Sequence, residues 1–297
     1  MKKTFLLLQG IFLIVSAFSC TRNVQEFSET ENVPLYHTWN SLKEMEYGMP
    51  VSPVPLETLP QDFFPWAGIA SHHALAHEYI DAWFSRLAKI RKPRRFFILS
   101  PSHYGISLET YSLTIGSWES GFGFVESDRD KVRELAGMLE VDLDPDVFQI
   151  EHGVSTLMPY IKKYFPESKV VAIACKGEAP VNIPISSRLS DILENEFNEA
   201  GKMENFLLIS ADFSHHGNPE VTYKNDNNSE LYLRNSNDIF WGMAVCDNYP
   251  GIYILDQLGK KKLESCILYH TNSWEISNQG ENDITSYFFV YFADRFY

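Results

Sequence analysis

Three apolar runs in this chain each end by releasing histidine. "AGIAS" opens into His72 and His73, "FFILS" runs through Pro101 and Ser102 into His103, and "FLLIS" runs through Asp212 and Ser214 into His215 and His216. Short apolar runs of this kind read as buried strands, and the stretches between them carry helical periodicity. Strand-like runs alternating with helical spacing are the pattern of an α/β layer structure. In open α/β sheets the ligand crevice lies beyond the carboxyl ends of the strands. The acid and the imidazoles are therefore expected at the sheet's rim, held by rigid apolar anchors.

The helical stretches can be placed by their apolar faces. Leu75, Tyr79, Ile80, Trp83, Phe84, Leu87 and Ile90 share one face, and Asp128 to Leu139 reads as a second helix. Val154, Leu157, Met158 and Ile161 repeat at i, i+3, i+4 and i+7, and Ser186 to Ala200 reads as a helix with Leu189, Ile192, Leu193 and Phe197 inward. "TYSLTIGSWESGFGFVE" reads as a strand pair and "KVVAIAC" as a strand, while "SCILYHT" and "TSYFFVYFA" are strongly β-prone.

The N-terminus has a different character. Lys2 and Lys3 precede the apolar run "FLLLQGIFLIVSAF", which ends at Ser19-Cys20. The run is too short and too abruptly ended for a membrane span, and a small residue directly before a cysteine reads as a bacterial lipoprotein cleavage site. Residues 1–19 are expected to be a lipoprotein signal peptide and Cys20 the lipidated first residue of an exported, membrane-anchored protein of the cell envelope. Residues 20–60, rich in Glu, Pro, Asn and Ser, read as a tether, and residues 61–297 as one α/β domain. With 44% hydrophobic and 14% aromatic residues, that domain has ample material for a core. The formal charge of −14 becomes about −16 once the signal is removed, which argues against nucleic acid as a partner.

Of the nine histidines, six sit in four tight contexts: His72 with His73, His103, His152, and His215 with His216. A lone histidine at a strand end is usually structural. Several at analogous strand ends point to a shared ion, because imidazole is the commonest protein metal ligand. His37, His77 and His270 carry no supporting pattern.

These segments resemble the Memo family, whose bacterial members are called AmmeMemoRadiSam system protein B. The family's Pro-His-Ala-Gly-Tyr is matched by Ser71-His72-His73-Ala74-Leu75, and its Gly-Pro-Ser-His-His by Ser100-Pro101-Ser102-His103-Tyr104. Its Glu-His-Ser-Ile-Glu becomes Glu151-His152-Gly153-Val154-Ser155, and its Ser-Ser-Asp-Phe-Ser-His-Tyr-Gly is nearly intact over Ser210–Gly217. A late Cys-Gly followed by proline is matched by Cys246-Asp247 with Pro250. The matches keep the family's order across roughly residues 60–295, while each motif alone is a weak signal. Ser155, Leu157 and Asp247 depart from the family pattern.

The resemblance implies a single α/β domain with a central mixed β-sheet flanked by helices, like the catalytic subunit of class III extradiol dioxygenases. It further implies that His72, His103 and Cys246 bind a metal ion, with Asp212, His215 and His152 lining the same pocket. His215 is the expected acid/base, and Asp212 would orient it or a bound water. In the related dioxygenases two histidines and a carboxylate hold Fe(II); a thiolate in the carboxylate's place shifts the preference toward softer ions, so iron or copper is expected ahead of zinc. An exported protein sits where disulfides form, and Cys175, Cys246 and Cys266 allow more than one pairing. Three functions follow: a metal-dependent oxidoreductase, a non-catalytic lipoprotein binding a small molecule, peptide or metal in the same crevice, or a zinc-dependent hydrolase.

Overall fold

A seven-stranded sheet with helices on both faces carries the fold. The computed structural model describes residues 32–38, 56–176, 183–236, 238–260 and 262–295. The chain divides into two units, Met1–Asn32 and Val33–Tyr297, and every strand and helix named here belongs to the second. The expected signal peptide and Cys20 lie outside the described residues. Among the described residues no helix is long and apolar enough to cross a membrane.

In chain order the elements are β1 (Leu35–His37), β2 (Ala67–Ala70), α1 (His77–Ile90), β3 (Arg95–Pro101), β4 (Tyr111–Leu113), β5 (Ser117–Ser120) and β6 (Gly123–Glu126). They continue with α2 (Arg129–Leu139), α3 (His152–Ser155), α4 (Met158–Tyr164), β7 (Lys169–Cys175), α5 (Ile183–Leu193), α6 (Glu199–Glu204) and β8 (Asn205–Ser210). The last are α7 (Pro219–Arg234), α8 (Tyr249–Gly259), β9 (Leu263–Asn272), α9 (Ser273–Ser277) and β10 (Ser286–Asp294). The large sheet has the order β4-β7-β3-β8-β2-β10-β9. Its central strands β7, β3, β8 and β2 run parallel, and β4, β10 and β9 pair antiparallel, so the sheet is mixed as expected.

Alternation along β3 shows how the two faces are covered. Phe97 and Leu99 enter one core together with α2, α5 and α8, whereas Phe96 and Ile98 enter the other against α1 and α4. Each large side chain withdrawn from water in this way contributes about 1.5–3 kcal/mol. On α1, Ile80, Trp83, Phe84 and Leu87 are fully buried, which is the face that the helical spacing foretold.

Three local expectations are corrected, and one helix, α7, has no counterpart among the expected elements. "TYSLTIGSWESGFGFVE" forms three strands: β4 joins the large sheet, while β5 and β6 pair with β1 in a separate three-stranded sheet. β1 itself lies within the stretch expected to be a tether. Tyr36 is fully buried there and its hydroxyl meets Thr114 Oγ1 at 2.5 Å, so one aromatic side chain overrides the polar composition around it. The Val154–Ile161 stripe breaks into α3 and α4, with Pro159 in the first turn of α4. Sixteen-residue α7 follows a segment with little apolar periodicity. It buries Thr222, Asp226, Ser229, Tyr232 and Leu233, and starts where Asn218 accepts from Val221 N and Pro219 occupies the first turn.

The carboxyl ends of β2, β3 and β8 lie side by side. Asn248, fully buried at the start of α8, ties two of them together: its Nδ2 donates to Leu99 O and Ser210 O, both at 2.9 Å.

Candidate metal centre

His72 follows β2 by two residues, His103 follows β3 by two, and Asp212 and His215 leave the end of β8. His152 is the first residue of α3, and Asp247 lies two residues before α8. These positions converge. The rings of His72, His103 and His152 have centroids 4.1–5.2 Å apart. Among the described residues two groups bring possible ligand atoms within 4.8 Å of one another: His72, His103 and His152, and His72, Asp212 and Asp247.

The middle of the cluster is an oxygen. Oδ2 of Asp247 lies 3.2 Å from Nε2 of His72, 3.6 Å from Nε2 of His103 and 3.8 Å from Nε2 of His215. It is buried and has no hydrogen-bonded partner. The other carboxylate oxygen accepts from Asp212 N at 3.1 Å, while Asp247 N donates to Asp212 O at 3.0 Å, so the segment is pinned to the end of β8.

Hydrogen bonds behind the imidazoles fix which nitrogen faces inward. Ser210 donates its only hydroxyl hydrogen to Gly153 O at 2.5 Å, and must therefore accept from His72 Nδ1 at 2.9 Å. His103 Nδ1 donates to Glu151 Oε1 at 2.6 Å, and Glu151, almost wholly buried, also accepts from His103 N and Gly153 N. Both rings thus present Nε2 to Asp247, and a carboxylate behind a ligating histidine is the usual outer support of a metal site. Gly153 is required here because a Cβ would stand 2.3 Å from Ser100 Oγ and 3.1 Å from Glu151 Oε1. Around Asp212, Ser71 donates to Oδ1 at 2.5 Å.

Electrostatics divides the cluster. Burial lowers the pKa of His72, but the carboxylates of Asp212 and Asp247 outweigh it and raise the value above the usual imidazole range. His103 follows the same balance: burial works downward, and Asp247 and Glu151 lift it to about 10. His152 goes the other way, depressed to about 3 by burial and by the neighbouring His72 and His103. Burial opposes ionisation of Asp247, yet His72, His103 and His215 hold its carboxyl well below the ordinary carboxylate range. The carboxylates thus stabilise positive charge at His72 and His103.

These residues fit a cation. With ligand bonds of about 2.1 Å, neighbouring ligand atoms stand about 3.0 Å apart in an octahedron and about 3.4 Å apart in a tetrahedron. The two shorter separations around Asp247 Oδ2, 3.2 and 3.6 Å, lie on either side of the tetrahedral edge. A buried carboxylate oxygen that meets three imidazole nitrogens at 3.2–3.8 Å without a well-directed hydrogen bond suits a divalent ion.

Comparison with known proteins bears on the same residues. A family model described as Memo-like protein matches residues 72–239, more than half of the 297-residue chain. The chain belongs to the Memo family. Among similar proteins, a "MEMO1 family protein" of Caldivirga maquilingensis is 30% identical over 165 residues, covering 54% of this chain and 55% of the relative. Another from Pyrobaculum aerophilum is 30% identical over 162 residues, covering 54% of this chain and 56% of the relative. A third, from Saccharolobus solfataricus, is 26% identical over 245 residues, covering 78% of this chain and 81% of the relative. The chain spans about half the length of the first two relatives it matches.

Set against this Memo-family pocket, the expected residues divide. His72, His103, His152, Asp212 and His215 are gathered at the strand ends. Of the adjacent pair it is His72, 2% exposed, that enters the cluster; His73 turns its Nδ1 to the hydroxyl of Tyr287. Cys246 is not brought to the cluster. Its side chain lies in the hydrophobic core, burial pushes its thiol well above the ordinary value, and it joins neither group of possible ligands. Residues 244 to 247 alternate, with Ala244 and Cys246 buried in the core and Asp247 on the opposite side, so one of the two neighbours faces the pocket and the other cannot. Cys175, Cys246 and Cys266 are all free thiols.

Sequence reasoning missed Asp247, Glu151, Ser210 and Tyr104. Asp247 stood out only as a departure from the family's glycine. Glu151 lies inside the segment matched to the family's Glu-His-Ser-Ile-Glu, and an acid directly before His152 is the sequence signal for it.

Proposed function

We propose that the chain is a metal-dependent oxidoreductase whose ion is held by Nε2 of His72, Nε2 of His103 and the carboxylate of Asp247. The observation that carries this reading is Asp247 Oδ2, buried without a hydrogen bond and facing those nitrogens. A carboxylate in place of the expected thiolate removes the preference for copper, and two histidines with one carboxylate suit Fe(II). When bound, such an ion supplies open positions at which a small-molecule or peptide substrate and dioxygen can meet.

The protein's own contribution is positioning and proton movement. Ser210 and Glu151 hold the two ligating rings, and Asp212 is held by Ser71 at the end of β8. His215, about one-third exposed with Nε2 3.8 Å from Asp247, is placed to exchange a proton with solvent. The same reading keeps the chain an exported lipoprotein tethered through Cys20, supported by Lys2, Lys3 and the apolar run before Ser19.

Metal analysis of protein purified with minimal handling tests the centre. About one iron per chain, lost in His103→Ala, supports the reading, and oxygen uptake with candidate substrates then tests the oxidoreductase assignment. Zinc at that occupancy favours the hydrolase, and no metal under any loading condition favours a binding module. Cys20→Ser tests the anchor, by moving the protein from the membrane fraction to the soluble one.

A further inference from the structure

His152 belongs to the three-histidine group, yet its surroundings differ from those of His72 and His103. Behind each of those two rings stands an acceptor for the Nδ1 hydrogen: Ser210, whose own hydrogen is committed to Gly153, and Glu151. Behind His152 stands a phenol. The hydroxyl of Tyr104 lies 3.1 Å from His152 Nδ1, and the Tyr104 ring packs edge-on to His152 at 5.8 Å. Glu151 Oε1 is 3.8 Å from that nitrogen and already accepts from His103 Nδ1 and Gly153 N.

A phenol hydroxyl both donates and accepts, so relative acidity decides the direction. A phenol O–H is far more acidic than the N–H of a neutral imidazole, and an imidazole nitrogen is far more basic than a phenol oxygen. The favoured bond is therefore O–H to Nδ1, which leaves the ring hydrogen of His152 on Nε2.

We propose that Tyr104 is a positioning residue that holds His152 as the Nε2–H tautomer, withdrawing it from metal ligation and making it a hydrogen-bond donor to whatever occupies the ion's open position. The sequence carries tyrosine here where the family pattern has a second histidine. The proposal rests on the metal-binding reading above, and it explains why three converging imidazoles need not be three ligands. Tyr104 is 44% exposed, so its ring is in contact with solvent as well as with His152.

Two measurements on the full chain test this. In metal-free protein labelled with 15N-histidine, the ring shifts of His152 should report an unprotonated Nδ1 and a protonated Nε2, and Tyr104→Phe should turn this into a mixture of tautomers. In Co(II)-loaded protein titrated with azide and followed by the d–d absorption, Tyr104→Phe should weaken azide binding about twofold at unchanged cobalt content, the loss expected when about half of His152 leaves the Nε2–H tautomer. Leu108→Ala, an exposed change on the same loop, should move neither readout. A protonated Nδ1 in the wild type, or azide affinity unchanged in Tyr104→Phe, overturns the proposal. A wild type that takes up no Co(II) overturns the metal reading and this role with it, while the tautomer remains measurable and tells the two failures apart.

Discussion

Asp247 and Cys246 are neighbours in the chain and face opposite ways: Asp247 Oδ2 lies 3.2 Å from His72 Nε2, while the Cys246 side chain is packed in the core. The cluster therefore receives a hard, charged oxygen from the residue next to the one at which the family pattern leads one to expect sulfur. That difference changes both the strength of the site and the ions that suit it.

Asp247→Asn is expected to weaken metal binding and Cys246→Ser to leave it intact. The asparagine keeps an oxygen but loses the charge that offsets the cation, so metal affinity should fall by at least about tenfold. Cys246→Ser should instead cost stability of about 1–3 kcal/mol, because it buries a hydroxyl among apolar side chains. Competition titration with a chelator, read beside urea unfolding, separates the two effects.

Glu151→Gln is expected to weaken metal affinity about 10- to 100-fold without removing a ligand. Glu151 accepts from His103 Nδ1, His103 N and Gly153 N, and an amide in its place would turn hydrogens toward one of those donors. The same chelator titration checks this, and ring shifts of 15N-labelled His103 should report the altered tautomer.

Gly153→Ala is expected to be destabilising by about 1–3 kcal/mol, as overpacking of a filled site usually is. Its new methyl group would meet Ser100 Oγ at 2.3 Å, with Glu151 Oε1 at 3.1 Å and His103 Cε1 at 3.3 Å. Displacing Glu151 and His103 should lower metal affinity as well. Urea unfolding of metal-free protein, compared with the chelator titration, measures both.

Asp128 offers a pH-dependent test away from the pocket. Its carboxylate caps α2 through Lys131 N and pairs with Arg95. Burial alone would raise its pKa, but Arg95 and the capping bond outweigh it and hold the value below 3.8. A carboxyl whose folded pKa is depressed contributes stability above its unfolded value, and that contribution is lost as pH falls through 3.8 and then through the lower folded value. Asp128→Asn should therefore cost about 1 kcal/mol near neutral pH and make the acid limb shallower. Urea midpoints measured from about pH 3 to pH 6 check the sign.

The sequence by itself determined the strands, their polar endings and the helix that seals one face. Runs such as "FFIL" are apolar at every position, and Ile80, Trp83, Phe84 and Leu87 return every third or fourth residue. Such patterns act locally and survive in any fold that buries them. It also determined that histidines leave the ends of three strands, which placed His72, His103 and His215 near one another once the strands were neighbours.

Only the tertiary structure decided which atoms meet. Whether residue 246 or 247 looks into the pocket depends on the phase of a short extended segment, set by two backbone contacts with Asp212. Whether His72 or His73 enters the cluster depends on Ser210 and Tyr287, which are 138 and 214 positions away in the chain. Tyr36 joins the core from a stretch whose composition reads as linker, because Gly116 leaves space against its ring. Period and composition record what a residue prefers, whereas a ligand set is a property of distances, and those are fixed only when the parallel strands lie side by side.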